Sequence, residues 1–418
     1  MHTQSQSSVS QNRLAFLLAL LSGLTAFAPF VTDMYLPSLP SMTTYFNVST
    51  SEVQLGLTTS MVGLAVGQLI AGPLSDKFGR KLPLIVSLVL FVVATVLCLF
   101  TTSIYPFVAM RFIQGLGAAG GVVLSRSIAT DLYQGRPLAK IMAVIGAISG
   151  IAPVLSPVIG GIVLSYTSWQ GIFVILLAIG CLLLATTFGF KESYPEDKRE
   201  TISVMASFTQ IKTLCQNRIF MIYTLLQATT MFAFFGQISA SPFIFQTHYG
   251  FSALAFSGFF ATNAIGIALA AGISVKFKTS QQSLRAGTTL FLISAPLAAL
   301  SLILGFGPFV YEAFLFLMSA SFGLILSPMT ALAMNAARKQ AGIASAVFGA
   351  AGFLSGGIAS PLVGLGDITV SSGIVYVFGA VTSFAVICLA RKIESSQTNR
   401  PSDAPAATNE ALPTAASA

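Results

Sequence analysis

The chain has 418 residues, of which 55% are hydrophobic and only 8% charged, with a net charge of +8. An ordinary soluble domain carries roughly a quarter charged residues, so a water-soluble globule is excluded. The pI near 9.4 does not signal nucleic acid, because the 21 Lys and Arg are scattered through short connecting stretches rather than gathered on one face.

Crossing the hydrocarbon layer takes about 20 apolar residues, and the mean hydropathy of +0.84 leaves room for about twelve such crossings joined by short loops. A polar lead, 1–13, is expected to be disordered. It runs into a full-length span rather than a short cleavable one, so the first apolar segment is retained. Apolar runs between turn signals place spans at 14–37, 53–73, 82–101, 105–126, 139–163 and 169–190. Six more follow at 219–240, 252–273, 285–304, 309–333, 342–364 and 370–390. Runs this evenly apolar lack the alternation of a barrel strand, so the spans are helices.

Between the two sets lies a polar stretch, 191–218, read as a cytoplasmic linker. Ile202, Met205, Phe208, Ile211 and Leu214 recur every three residues there, which fits a short helix on the membrane surface or a flexible connection. The tail 391–418, rich in Ala, Ser, Thr and Pro, is expected to be disordered. The expected architecture is thus all-α, with one six-helix bundle over 14–190 and a second over 219–390.

Basic residues concentrate in cytoplasmic loops of membrane proteins. With these spans, every Lys and Arg except Arg111 falls on one side, which places both termini in the cytoplasm. Cys98, Cys181, Cys215 and Cys388 have no ligand-like spacing and read as structural thiols, and neither His2 nor His248 is spaced for metal or nucleophilic chemistry. No enzyme activity, cofactor or metal is implied, and the partners are the bilayer and a small molecule met by a monomer.

Two ionisable residues remain inside the spans. Arg111 lies roughly 10 Å below the outer end of span 4, where an unpaired guanidinium is costly. Asp33, at similar depth near the end of span 1, is its expected partner. The pair is either a structural ion pair or a proton switch. Burial favours the neutral carboxyl and a nearby arginine the ionised one, so opening or closing a cavity would change whether Asp33 holds a proton.

Gly72-Pro73-Leu74-Ser75-Asp76-Lys77-Phe78-Gly79-Arg80-Lys81 reads as a tight turn whose glycines allow positive φ and close helix approach, with Asp76 and Arg80 available to helix ends. It resembles the signature loop of the major facilitator superfamily (MFS), G-x-x-x-D-R/K-x-G-R/K-R/K, at every defining position. The resemblance implies a latch between the halves in the outward-open state, with Asp131 as the partner of Arg80. The counterpart after span 8, Gly272 to Lys278, departs from the pattern and carries no such role. Arg111 to Gly117 resembles the span-4 motif R-x-x-Q-G, whose arginine is implicated in proton coupling. Gly146, Gly150, Pro153, Pro157, Gly160 and Gly161 allow close packing and a bent helix, and they resemble the span-5 motif of the antiporter branch. Asp33-Met34-Tyr35-Leu36-Pro37-Ser38-Leu39-Pro40 is similar to a segment of the Bcr/CflA subgroup of drug/proton antiporters.

These resemblances imply an MFS fold of two pseudo-symmetric halves in a bacterial inner membrane, exporting apolar or amphipathic compounds such as antibiotics against protons by alternating access. Transport of a metabolite such as a nucleoside or sugar stays open beside it, whereas a sensor that had lost transport would show eroded motifs. Tyr35, Gln114, Gln227, Phe235, Gln237, Asn263 and Asn335 are the candidates for the cavity wall, each also explicable by packing.

Overall fold

A computed structural model describes residues 2–199 and 211–398. Twelve helices long and apolar enough to cross a membrane are found among them, with no strand, because a helix satisfies its own backbone where no water can. The membrane helices are α1 (His2–Asp33), α2 (Thr50–Phe78), α3 (Lys81–Leu99), α4 (Ile104–Leu132), α5 (Gly135–Leu164) and α6 (Trp169–Gly189). The second set is α7 (Arg218–Pro242), α8 (Ala253–Ser274), α9 (Ser280–Ile303), α10 (Pro308–Ala336), α11 (Ala341–Leu362) and α12 (Ile368–Thr398).

Two expectations about the ends are corrected. The lead is helical from His2, since nothing before Arg13 is Gly or Pro and the helix has no reason to stop. Likewise α12 continues to Thr398, past the expected start of the tail. Most of the proposed surface helix of the linker lies outside the described residues, of which 211–215 are helical.

Helices α1–α6 build one core and α7–α12 a second. The packing of the first half recurs in the second although the sequences barely repeat. In the first half α2 lies on α4, α4 on α3, α3 on α6 and α1 on α5; in the second, α8 lies on α10, α10 on α9, α9 on α12 and α7 on α11. Small residues set the tightest seam: a Cβ on Gly63 would strike the Phe112 carbonyl, and one on Gly115 that of Ser60. In the other half Gly323 meets the Ile267 carbonyl in the same way.

The halves touch through α2 with α11 and α5 with α8, again a symmetric pair. These contacts gather toward the side without basic residues. Ser51 Oγ donates to the Pro361 carbonyl at 3.0 Å, Thr58 Oγ1 to that of Gly357 at 2.8 Å and Gln54 Nε2 to that of Ser239 at 3.0 Å. Ser257 Oγ of α8 donates to the Pro157 carbonyl of α5 at 2.8 Å. That bond is within reach because Gly161, lacking a side chain, lets α5 close onto Ser257 and Ala253. Gln246 reaches the Pro37 carbonyl at 3.0 Å. Toward the basic side, by contrast, a Cβ on Gly72, Gly146, Gly150 or Gly342 would meet no atom within 4 Å. The molecule is therefore sealed at the end without basic residues and parted at the basic end.

This seal makes Gly161 and Gly364 wedge points, since a Cβ on Gly364 would lie 2.7 Å from Gln54 and from the Ser51 nitrogen. Gly161→Leu and Gly364→Leu are expected to move the population toward the state open at the end without basic residues. Spin labels at exposed Tyr166 and Phe309 would then separate, while labels at Arg136 and Lys276 approach. Unchanged distance distributions would show that these contacts do not hold the seal.

Candidate functional site

Between the bundles lies a cavity of about 200 Å³. Its wall is mostly apolar, with six phenylalanines, Phe234, Phe235, Phe245, Phe256, Phe260 and Phe353. Thr32, Asp33, Gln237, Ser241, Asn263 and Ser319 supply its polar groups, and Pro153 of the span-5 motif closes one side. Asp33 is the one acidic residue among those lining the wall. It is 5% exposed, and its Oδ1 has no hydrogen-bond partner.

Arg111 does not pair with Asp33, contrary to the expectation from their depths. Its guanidinium is wholly buried inside the first bundle and donates to the Val31 carbonyl at 2.9 Å, to the Gly56 carbonyl at 3.3 Å and to Gln114 Oε1. It also stands over the Tyr35 ring at 4.3 Å and the Phe173 ring at 5.7 Å. The cause is where α1 ends. A helix leaves its last carbonyls without partners, and that end is electronegative, so the Val31 carbonyl is a ready acceptor for a cation. Val31, Met34 and Tyr35 face into the bundle, whereas Ala28, Pro29, Thr32 and Asp33 face the cavity.

The other polar candidates divide accordingly. Phe235, Gln237 and Asn263 line the cavity. Tyr35 and Gln114 belong instead to the surroundings of Arg111, Gln114 also donating to Thr95 at 2.7 Å. Gln227 is buried beside Gly352 and is not in the cavity wall. Asn335 sits at the basic end of α10 in an open depression with Ser280 and Arg338, away from the cavity.

The span 2–3 turn forms a compact charge cluster at the basic end. Arg80 Nε donates to Asp131 at 2.8 Å, and its Nη1 donates to Asp76 at 2.5 Å and to Ser75 at 2.7 Å. Gly79 has φ +83°, and a Cβ there would lie 2.6 Å from the Glu192 carboxylate, so both conformation and space demand glycine. Lys81 Nζ reaches the Phe188 carbonyl at 2.9 Å. Gly72 makes no close approach, since a Cβ there would meet nothing within 4 Å. In this conformation the partners of Arg80 lie in the first bundle and the segment after α6.

Along α5 the motif residues have different duties. Gly160 meets the Met34 carbonyl just after α1 and Gly161 meets α8, while Gly146 and Gly150 lie on the parted stretch. Among the described residues no group of His, Cys, Asp and Glu could hold a metal ion.

The family profile of the Major Facilitator Superfamily matches residues 21–361. The chain belongs to that superfamily. It is 36% identical over 389 residues, 91% of this chain and 96% of the relative, to an uncharacterized MFS-type transporter, YdgK, of Bacillus subtilis. It is 26% identical over 386 residues (91% and 96%) to the bicyclomycin resistance protein homolog of Haemophilus influenzae. It is also 31% identical over 293 residues, 69% of each chain, to the chloramphenicol resistance protein of Pseudomonas aeruginosa. These relatives agree with the Bcr/CflA resemblance. Among solved structures, the xylose transporter XylE of E. coli, in a partially occluded inward-open conformation, superposes with a TM-score of 0.71 over 90% of this chain and 97% of that one. Their identity is 16%, so that likeness speaks to fold alone. The chain is a multi-pass membrane transporter, not an enzyme.

Several site residues carry no readable signal in the sequence. Glu192 follows a helix end in a polar stretch, yet its carboxylate accepts from the backbone nitrogens of Arg80 at 2.9 Å, Lys81 at 3.0 Å, Ser193 at 2.9 Å and Tyr194 at 3.0 Å. Tyr194 stacks under the Arg80 guanidinium at 4.3 Å, and Ser193 donates to Asp131 at 3.2 Å. Glu312 of α10 falls at the edge of the expected span 309–333, where an acid reads as solvated, but it is buried.

Arg80→Ala strips Asp131 and Ser75 of a donor, so a loss on the order of 1–3 kcal/mol is expected, read as a lower melting temperature in detergent. Arg80→Lys should recover only part, since a single ammonium cannot match the planar fork. Partial burial pushes the Glu192 carboxyl up, but the four backbone donors outweigh it and hold its pKa below the usual glutamate value. A depressed acid contributes stability above its unfolded pKa and loses it as pH falls through the folded one. Hydrogen exchange at Arg80, Lys81, Ser193 and Tyr194 should therefore be slow at neutral pH and accelerate only below the ordinary glutamate range. In Glu192→Gln it should be fast at every pH.

Proposed function

We propose that this transporter exports small apolar or amphipathic compounds, antibiotics among them, in exchange for protons, by alternating access across a bacterial inner membrane with both termini cytoplasmic. The observation that carries the reading is Asp33, a carboxyl with an unpartnered oxygen in a largely apolar cavity shared by the two halves. In such surroundings an ionised carboxylate without a cation is costly, and a proton removes the cost. Wetting of the cavity or the arrival of cargo changes that balance, so proton and cargo compete for one site. The names of the bicyclomycin and chloramphenicol resistance relatives support a drug-like cargo, and six phenylalanine rings suit flat apolar molecules.

The role of Arg111 in this reading is indirect. Held by carbonyls and rings, it fixes the end of α1 and so the direction in which Asp33 points. The Arg80 cluster is the proposed latch, pre-assembled on the first bundle and free to meet the second when the basic ends close. On the side where the halves are now parted, cargo enters from the cytoplasm.

In everted vesicles, acidifying the interior should drive accumulation of chloramphenicol or bicyclomycin by the wild type. Asp33→Asn should abolish this pH-driven accumulation while keeping cargo exchange at equal pH, which needs no net proton movement. Full pH-driven accumulation by Asp33→Asn would refute the mechanism. A susceptibility screen of overexpressing cells against many compounds would identify the cargo.

A further inference from the structure

Among the described residues, three buried acidic or basic side chains lie within the spans away from the charge cluster at the basic end, and Asp33 and Arg111 account for two. The third is Glu312, about one turn into α10 and 8% exposed. Its Oε1 accepts from Asn263 Nδ2 of α8 at 2.9 Å, and its Oε2 has no partner. Asn263 Oδ1 accepts from Ser319 Oγ at 2.9 Å, and Ser319 Oγ accepts from Gln237 Nε2 of α7 at 2.7 Å. Gln237, Ser319 and Asn263 all line the cavity, and Gln237 Oε1 is itself without a partner. A single chain of hydrogen bonds therefore runs from the cavity wall through three side chains to a carboxyl buried behind it.

Among the described residues no cation faces Glu312. The ionisable group against it is Tyr311, beside it on α10, which itself meets Tyr376 of α12 at 3.2 Å between hydroxyls and Tyr249 from the turn after α7. Helices α8 and α11 contain no ionisable residue, while those of α7 and α9 lie at the basic end, far along the helix from Glu312. A buried carboxylate with one neutral donor and no cation is expensive, so the arrangement suits an acid that takes up and releases a proton.

We propose that Glu312 is a second proton-carrying site of this transporter, in the second bundle, and that the Asn263–Ser319–Gln237 chain couples its proton to the contents of the cavity. Asp33 senses the cavity directly and Glu312 senses it through three hydrogen bonds, because each bond in such a chain polarises the next. This role rests on the proton-exchange reading above and extends it to one carboxyl per bundle, so that two protons can be exchanged in one cycle.

The test is infrared titration of the purified full-length protein in lipid, following the carboxylic-acid carbonyl band from acid to alkaline pH in H2O and D2O. Two buried components are expected, one lost in Asp33→Asn and the other in Glu312→Gln. Ser319→Ala should displace the midpoint of the Glu312 component by roughly half a pH unit and leave that of Asp33 in place. This variant also carries the test should Glu312→Gln not assemble. A Glu312→Gln spectrum identical to wild type, or a Glu312 midpoint unmoved by Ser319→Ala, overturns the inference and leaves Asp33 standing. So does a Glu312 that stays ionised throughout, the behaviour of a receptor for cationic cargo. If Asp33 shows no titrating component either, the proton-exchange reading fails as a whole.

Discussion

The structure depends on one constraint: hydrocarbon solvates neither a bare peptide group nor a bare charge. The first half of that constraint makes every crossing a helix and forces the non-helical joints to the two faces. The second half sweeps the basic residues to one face and leaves three charged side chains behind, each held differently. Arg111 is fully satisfied by carbonyls and rings, Asp33 opens on the cavity, and Glu312 hangs at the end of a polar chain. Where a charge is tolerated in this molecule, something specific tolerates it.

Because lipid gives helices no hydrophobic reason to pack on each other, contact quality is set by how closely backbones approach and by side-chain hydrogen bonds to carbonyls. That explains the row of small residues and hydroxyls in the seal between the halves, Ser51, Thr58, Gly161, Ser257, Gly357 and Gly364. Such contacts are individually weak, near the net value of a hydrogen bond, and reversible. A seal that opens in each cycle, as the proposed alternating access requires, needs this character. The cores inside each bundle, built from large apolar side chains, have no such demand.

The twelve spans are legible in the sequence because an apolar run is local information, and the one-sided placement of Lys and Arg, from which the cytoplasmic termini are expected, follows a rule that needs no tertiary structure. Asp33 and Arg111 stand out as exceptions to the same pattern. Their pairing does not follow, since two residues at equal depth can face opposite sides of a helix end, and the free carbonyls of α1 that capture Arg111 exist only once α1 stops at Asp33. Glu312 is inconspicuous because it follows the Gly307-Pro308 turn, where an acid is ordinarily solvated. Glu192 is invisible for a related reason: its value comes from four backbone nitrogens on two loops that meet only in the fold. The glycines of the signature loop and of α5 look like one class in the sequence, but Gly79 serves conformation, Gly160 and Gly161 serve contact, and Gly72 serves neither in this state.

That difference between Gly72 and Gly161 bears on how one charge cluster can act on the whole molecule. Arg80, at the N-cap of α3, is tied to Asp76 at the end of α2 and to Asp131 on α4, and the segment after α6 is tied in by Glu192. Movement at the basic end therefore carries α2, α4 and that segment together. The same α2 forms the seal with α11 at the other end, through Ser51 and Thr58. A rigid helix anchored at one end by ion pairs and at the other by weak, breakable bonds is a lever. In the exchange cycle proposed above, closing the basic end would draw α2 away from α11 at the opposite end, and Asp33, held in direction by Arg111, would turn from one aqueous face to the other without leaving its bundle.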